Sequence, residues 1–284
     1  MNYKIAIHIT SYVDKNYLER FNFLKKIVEN YKFISKNSDI FIHVNTIVKK
    51  EYRVKNVKYI YHNLFGEDPH QLSWKCRILM YKQKKNYDFF IYSEDDILFT
   101  KKNFNYWLKF KELCIKNNFN LGFIRTELDN NNEIYCSDLT ENISNFIYLN
   151  KKKFVVLSSP YCAFWIYDSK EFNKFTETNI WNFKWENKTA FQYYYIREMS
   201  AIGWNGVNMT RYKATIMPLL KNKILKSSLI KHMTNRYALS PMGKYGTLKL
   251  NSVVSKRLIK FRPITKFRRF LINFYFFLTR LVKL

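Results

Sequence analysis

Glycine and proline are scarce, at 6 and 5 residues in a chain of 284. So few breakers argue against low-complexity disorder and predict that regular elements dominate. Cysteine is scarcer still: Cys76, Cys114, Cys136 and Cys162 stand far apart, with no C-x-x-C pair. That spacing argues against a zinc site or a disulfide framework and predicts free, buried thiols in a reducing compartment. No G-x-G-x-x-G follows the first apolar run, and neither a Walker A motif nor G-x-S-x-G occurs. A Rossmann dehydrogenase and a serine hydrolase are therefore unsupported. The opening MNYKIAIHIT has no charged leader with a long apolar stretch behind it, so no secretory signal is expected. The sequons at Asn142, Asn187 and Asn208 are accordingly read as chance matches.

Acidic residues are also few. The 22 Asp and Glu face 49 Lys and Arg, for a net charge of +27. Such a field attracts polyanions: nucleic acid, an anionic membrane or phosphorylated substrates. Part of it reflects lysines scattered throughout a Lys-, Asn- and Ile-rich chain, which need no partner. Hydrophobic residues at 47% and aromatics at 19% are ample for a packed core.

The first half alternates strands and helices. Lys4 to Ile9, Ile40 to Val44 and Val57 to Tyr61 read as strands. Tyr17, Phe21, Leu24, Val28 and Tyr31 recur at helical spacing, and Pro69 opens a helix with Leu72, Cys76 and Leu79 on one face. Asp88 to Ser93 is apolar on both faces, as a central parallel strand is. Further strands are read at Asn120 to Thr126, Lys153 to Ser158 and Tyr161 to Tyr167, with a helix from Thr189 to Ser200. The alternation predicts a mostly parallel, mixed α/β sheet flanked by helices over residues 1–250. From about Val253 the chain turns basic and aromatic. Phe270, Leu271, Phe274, Phe277, Leu278 and Leu281 form a stripe flanked by Arg268, Arg269, Arg280 and Lys283. The stretch falls short of the roughly 20 residues of a spanning helix. Residues 251–284 thus read as a basic amphipathic tail on an anionic membrane surface, or as a helix docked on the domain itself.

Glu94-Asp95-Asp96 directly follows the most apolar strand. Ligands of open α/β sheets bind beyond the carboxyl ends of strands. Three adjacent carboxylates repel one another unless a cation lies among them, and Mg²⁺ or Mn²⁺ commonly bridges such carboxylates to substrate phosphates. The plain alternative is a helix cap or a turn.

The segment YDFFIYSEDDILFTKKNFNYWL resembles the central segment of glycosyltransferases with the GT-A fold, whose D-x-D motif takes the form E-D-D in some members. PHQLSWKCR is a weaker match, and the resemblance extends over residues 1 to about 245. It implies a nucleotide-sugar donor, Mn²⁺ or Mg²⁺, and transfer to a glycan or lipid-linked acceptor. It also implies that Asp96 binds the metal and that Glu94 contacts the ribose or a metal-bound water, with Asp95 between them. Thr10, Ser11 and Tyr12 would meet the base, and His232 would complete the metal shell. Glu198 resembles the acid of the family's x-E-D motif, although Met199 stands where the second acid belongs. As general base it would make the enzyme inverting; Glu186 and Asp168 compete for that role. Lys75 and Arg77 are placed to meet the diphosphate. Ser158 to Tyr161 would shape the acceptor pocket, and Tyr161, Trp165 and Trp181 could stack on sugar rings. The expected location is cytoplasmic, peripheral on the inner membrane face, with no nucleic-acid partner. The alternative function is a nucleic-acid-binding protein or metal-dependent nuclease, which would explain the charge and the acids together.

Overall fold

The computed structural model describes residues 3–178, 181, 196–205 and 213–261. The chain begins with β1 (Ile5–Thr10), a six-residue run with every side chain buried. It continues through α1 (Tyr17–Ile34), β2 (Ser38–Val44), β3 (Lys58–Tyr61) and α2 (Leu72–Lys82). Pro69 opens a 3₁₀ turn ahead of α2, and the Asp68 carboxylate accepts the His70 N–H there. Next come β4 (Phe89–Glu94), the short β5 (Ile97–Leu98) and α3 (Lys101–Lys116), whose start is closed by a reciprocal Thr100–Asn103 capping box.

The expected strand from Asn120 to Thr126 is two strands, β6 (Asn120–Leu121) and β7 (Ile124–Leu128), in different sheets. Gly122 marks the break: a Cβ there would lie 2.6 Å from the Thr215 methyl group, so only glycine allows the approach. The chain then forms β8 (Ile134–Cys136), β9 (Ile143–Leu149), β10 (Lys152–Val156), β11 (Phe164–Asp168), α4 (Ser169–Thr176) and α5 (Ile196–Ala201). The last elements are β12 (Thr215–Leu220), β13 (Lys223–Ile224), β14 (Leu229–His232), α6 (Arg236–Leu239), β15 (Leu248–Lys249) and β16 (Val254–Lys260).

The first sheet has the order β11-β4-β1-β2-β3, parallel except for β11 at one edge. From β1 the chain steps outward to β2 and β3, then returns to β4 on the other side of β1. The strand order therefore reverses between β1 and β4, which opens a crevice at their carboxyl ends. A second sheet runs β13-β12-β10-β9-β16, with β6 beside β12, and a third runs β15-β8-β7-β14-β5. The architecture is mixed α/β. Its largest cluster packs Ile5, Ile7 and Ile9 of β1 against Leu24, Val28 and Tyr31 of α1.

Residue 250 is not a structural limit, because β16 joins the second sheet parallel to β9. Val253 is completely buried at its start, which anchors this basic stretch to the domain. The stripe from Phe270 to Leu281, most of the expected helix from Thr189, and Glu186 lie outside the described residues. All four cysteines are free and buried, and burial pushes each thiol up to about 12. Among the described residues no helix is long and apolar enough to cross a membrane.

Candidate active site

A cleft of about 730 Å³ opens at the crevice between β1 and β4. Thr10 and Glu94, the last residues of those strands, are register partners, so the loops after them face one another. The cleft is lined by Thr10 and Tyr12 from the first loop and by Glu94, Asp95 and Asp96 from the second. Ala163, at φ 53°, is held in the left-handed region beside it, and its carbonyl accepts the Glu94 N–H at 3.1 Å.

The three acids have different surroundings. Asp95 is fully buried; one oxygen accepts the Ser11 hydroxyl at 2.6 Å and the other accepts Arg20 Nη1 at 3.1 Å. Burial raises its pKa in spite of Arg20. Asp95 thus ties the end of β1 to α1, and both of its oxygens are engaged. Ser11 is fully buried behind it and faces Asp95. Glu94 is half-buried, with the Tyr161 hydroxyl 3.4 Å from its Oε1.

Asp96 meets His232, 136 residues later, at 3.1 Å from Oδ2 to Nε2. Strand pairing causes this: β14 runs antiparallel to β5 with His232 opposite Ile97, and the Met233 N–H donates to the Asp96 carbonyl at 2.8 Å. Asp96 Oδ1 is buried without a hydrogen-bond partner. Burial alone would raise the Asp96 pKa, but the hydrogen bond and charge of His232 outweigh it and lower it. Burial likewise opposes the charge on His232, and its bonds to Asp96 and Glu127 reverse that and raise its pKa. Among the described residues no three His, Cys, Asp or Glu side chains form a closed metal cage. Asp96 and His232 instead fit an open site, in which substrate phosphates and water fill the remaining positions of a hard cation. An orphaned carboxylate oxygen beside an imidazole nitrogen is the donor set such an ion would take.

The charge of the cleft opposes that of the chain. Among the described residues, Asp14, Glu94, Asp95, Asp96, Asp138 and Glu198 line it, against Arg20, Arg125 and Arg236 and the histidines His70 and His232. A diphosphate entering this excess of carboxylates needs a cation with it.

No family model matches the sequence, and no curated protein matches it. Among solved structures, Staphylococcus aureus TarS 1–349 aligns over 82% of this chain and 62% of that one, with 14% identity and a TM-score of 0.39. The bifunctional IspDF of Campylobacter jejuni aligns over 62% of this chain and 44% of that one, with 14% identity and a TM-score of 0.32. Core-mannan synthase A of Aspergillus fumigatus, in a Mn/GDP form, aligns over 44% and 43%, with 13% identity and a TM-score of 0.24. The chain therefore spans less than two thirds of each of these three. At such scores the likeness carries no functional weight; the cleft has to carry it.

Two expected phosphate ligands stand elsewhere. Lys75 does not line the cleft and pairs with Glu67 at 2.7 Å. Arg77 is buried beneath α2; it donates to the carbonyls of Trp181 at 2.8 Å and Ser200 at 3.1 Å, with its guanidinium 4.0 Å from the Trp74 ring centroid. Its position in the inward stripe Leu72, Ser73, Cys76, Arg77 and Met80 makes it a structural cation. Trp165 and Trp181 are core residues and are not available to stack on a sugar, whereas Tyr161 and Ser159 do line the cleft. Asp168 caps α4 and pairs with Lys111 at 2.8 Å, which removes it as a general base. Glu198 lines the cleft from α5. Sequence reasoning missed Arg20, Arg125, Glu127 and Asp138. Arg125 forms a bidentate pair with Asp138 at 2.7 and 2.6 Å. The available signal was a charged pair, Arg125 and Glu127, inside an otherwise buried strand.

Proposed function

We propose that the protein is a metal-dependent glycosyltransferase that moves a sugar from a nucleotide diphosphate to a hydroxyl of a glycan or lipid-linked acceptor. One observation carries the reading: Asp96, with a buried unpartnered oxygen, meets His232 in the crevice where the strand order reverses. Mn²⁺ or Mg²⁺ held by these two would neutralise charge building on the departing diphosphate. Glu94 would hold the ribose or a water of the bound ion. Thr10 and Tyr12 flank the nucleotide, with Ser11 holding Asp95 in place behind them. Glu198 accepts the acceptor's proton as its oxygen bonds to the anomeric carbon and the bond from that carbon to the diphosphate breaks, which inverts the centre.

The acidic lining supports a bound cation and disfavours a nucleic-acid strand, whose phosphates would be repelled inside the cleft. Incubation with a panel of UDP- and GDP-sugars and Mn²⁺ should release sugar and nucleoside diphosphate from at least one donor. EDTA should stop the release. Cleavage of DNA or RNA with no donor turned over would overturn the proposal.

The basic aromatic stretch 262–284 supports attachment to the inner membrane face. A chain ending at Phe261 should stay in solution with anionic vesicles that sediment the full chain. Equal sedimentation refutes the attachment.

A further inference from the structure

We infer that Glu127 is a positioning residue that sets the tautomer of His232 and so decides whether its Nε2 can bind a divalent cation. This rests on the metal reading above and assigns a role to a residue outside the cleft lining. Glu127 sits in β7, between β8 and β14, and is 1% exposed. Its Oε1 is hydrogen-bonded to His232 Nδ1, and its Oε2 accepts the Ala238 N–H of α6 at 2.7 Å. Arg125, two residues earlier on the same strand, is committed to Asp138 and leaves Glu127 to the imidazole.

A carboxylate can only accept, so Nδ1 must carry the hydrogen that joins the two residues. Asp96 Oδ2, 3.1 Å from Nε2, also accepts, so the metal-free ring carries a hydrogen on both nitrogens. When a cation replaces the one on Nε2, the Nδ1 hydrogen held by Glu127 leaves the lone pair on Nε2 for the ion. The second bond, to α6, prevents the carboxylate from rotating away. A buried acid placed only to cap α6 would need the Ala238 contact and nothing more. This one spends its other oxygen on the histidine, which is the arrangement that orients a ligating imidazole.

Glu127→Gln separates the two roles. Its amide oxygen can keep the Ala238 N–H, which turns the amide NH₂ toward His232. Nδ1 must then accept, and the one hydrogen left is on Nε2, where it blocks ligation. Binding of Mn²⁺ alone, followed by electron paramagnetic resonance of the free ion, should weaken by about 10- to 100-fold in this variant. The melting temperature should stay close to that of the unsubstituted chain. In parallel, ¹⁵N spectra of the metal-free proteins should show a hydrogen on His232 Nδ1 in the unsubstituted chain and none on Nδ1 in the variant. Equal Mn²⁺ affinity in both proteins overturns the inference and leaves the metal reading standing. A His232 Nδ1 without a hydrogen in the unsubstituted chain overturns it whether or not the variant folds. Failure of the unsubstituted chain to bind Mn²⁺ overturns the metal reading and the inference with it.

Discussion

Asp96→Asn should slow Mn²⁺-dependent donor turnover by about 10³-fold, equivalent to about 4 kcal/mol of lost transition-state stabilisation. Asparagine keeps the size of the side chain and can still accept from His232 Nε2, so the fold should survive. What changes is the oxygen that has no partner, Oδ1. In the amide that position is taken by an NH₂ group or by an uncharged oxygen, and neither balances a divalent ion as a carboxylate does. The neighbouring acids cannot substitute: Asp95 is occupied by Ser11 and Arg20, and Glu94 faces Tyr161. Steady-state rates with the best donor, beside a melting curve, check this. A loss below about tenfold with the melting point intact would move the metal, or the need for one, away from Asp96.

The second large effect is on stability in acid. His8 Nε2 lies 3.0 Å from Gln83 Oε1, His8 Nδ1 lies 2.9 Å from His43 Nε2, and His43 Nδ1 lies 2.8 Å from His62 Nε2. With the Gln83 oxygen as the terminal acceptor, His8 donates through Nε2, His43 donates to His8, and His62 donates to His43. The imidazoles of His8, His43 and His62 are then all neutral, and a proton added between them has no acceptor. Burial lowers the His8 pKa to about 3, with the Gln83 bond opposing slightly. Burial, reinforced by His8 and His62, lowers His43 well below its ordinary range. Burial and Lys75 lower His62 as well.

A folded pKa below the unfolded value of about 6.5 gives stability that is present above pH 6.5 and lost as the pH falls. His8 should remove roughly 1 kcal/mol of stability per pH unit below that point, and His43 adds a loss of the same sign. Asp95, whose pKa is raised by burial, gains stability as the pH falls and offsets one of them. His232, raised, already contributes fully below pH 6.5. With His8 and Asp95 offsetting one another, the net expectation is a fall in stability below pH 6.5 carried by His43 and His62 and opposed in part by Asp138, whose carboxyl pKa burial also raises. Denaturant titrations at half-unit steps would measure it. Stability that rises steadily as the pH falls from 6.5 to 5 would contradict the neutral imidazoles.

Elements whose burial shows in their own composition were legible in the sequence. The largely apolar runs of β1 and β4 and the helical spacing of α1 marked the strands whose ends hold the acidic cluster, and the family resemblance added Thr10, Ser11 and Tyr12. His232 was named through the family resemblance, and its contact with Asp96 depends on β14 pairing with β5 across more than 130 residues. Glu127, Arg125 and Asp138 were missed for the same reason, since their partners come from strand neighbours that local pattern does not reveal. Arg77 shows the opposite error. Its charge suggested phosphate, whereas its helical phase beside Cys76 and Met80 turns it inward, where backbone carbonyls and a Trp face satisfy it. The basic stretch after Val253 was read as one tail because its composition is uniform. Its first residues nevertheless form β16, because the edge of β9 offers them unpaired backbone groups.

A crystal soaked with Mn²⁺ and a nucleoside diphosphate tests the central claim most directly. The account predicts one anomalous peak about 2.0–2.3 Å from Asp96 Oδ1 and His232 Nε2, with diphosphate oxygens on its open side. A peak elsewhere, or a nucleotide bound in the cleft with no metal between it and Asp96, would contradict it.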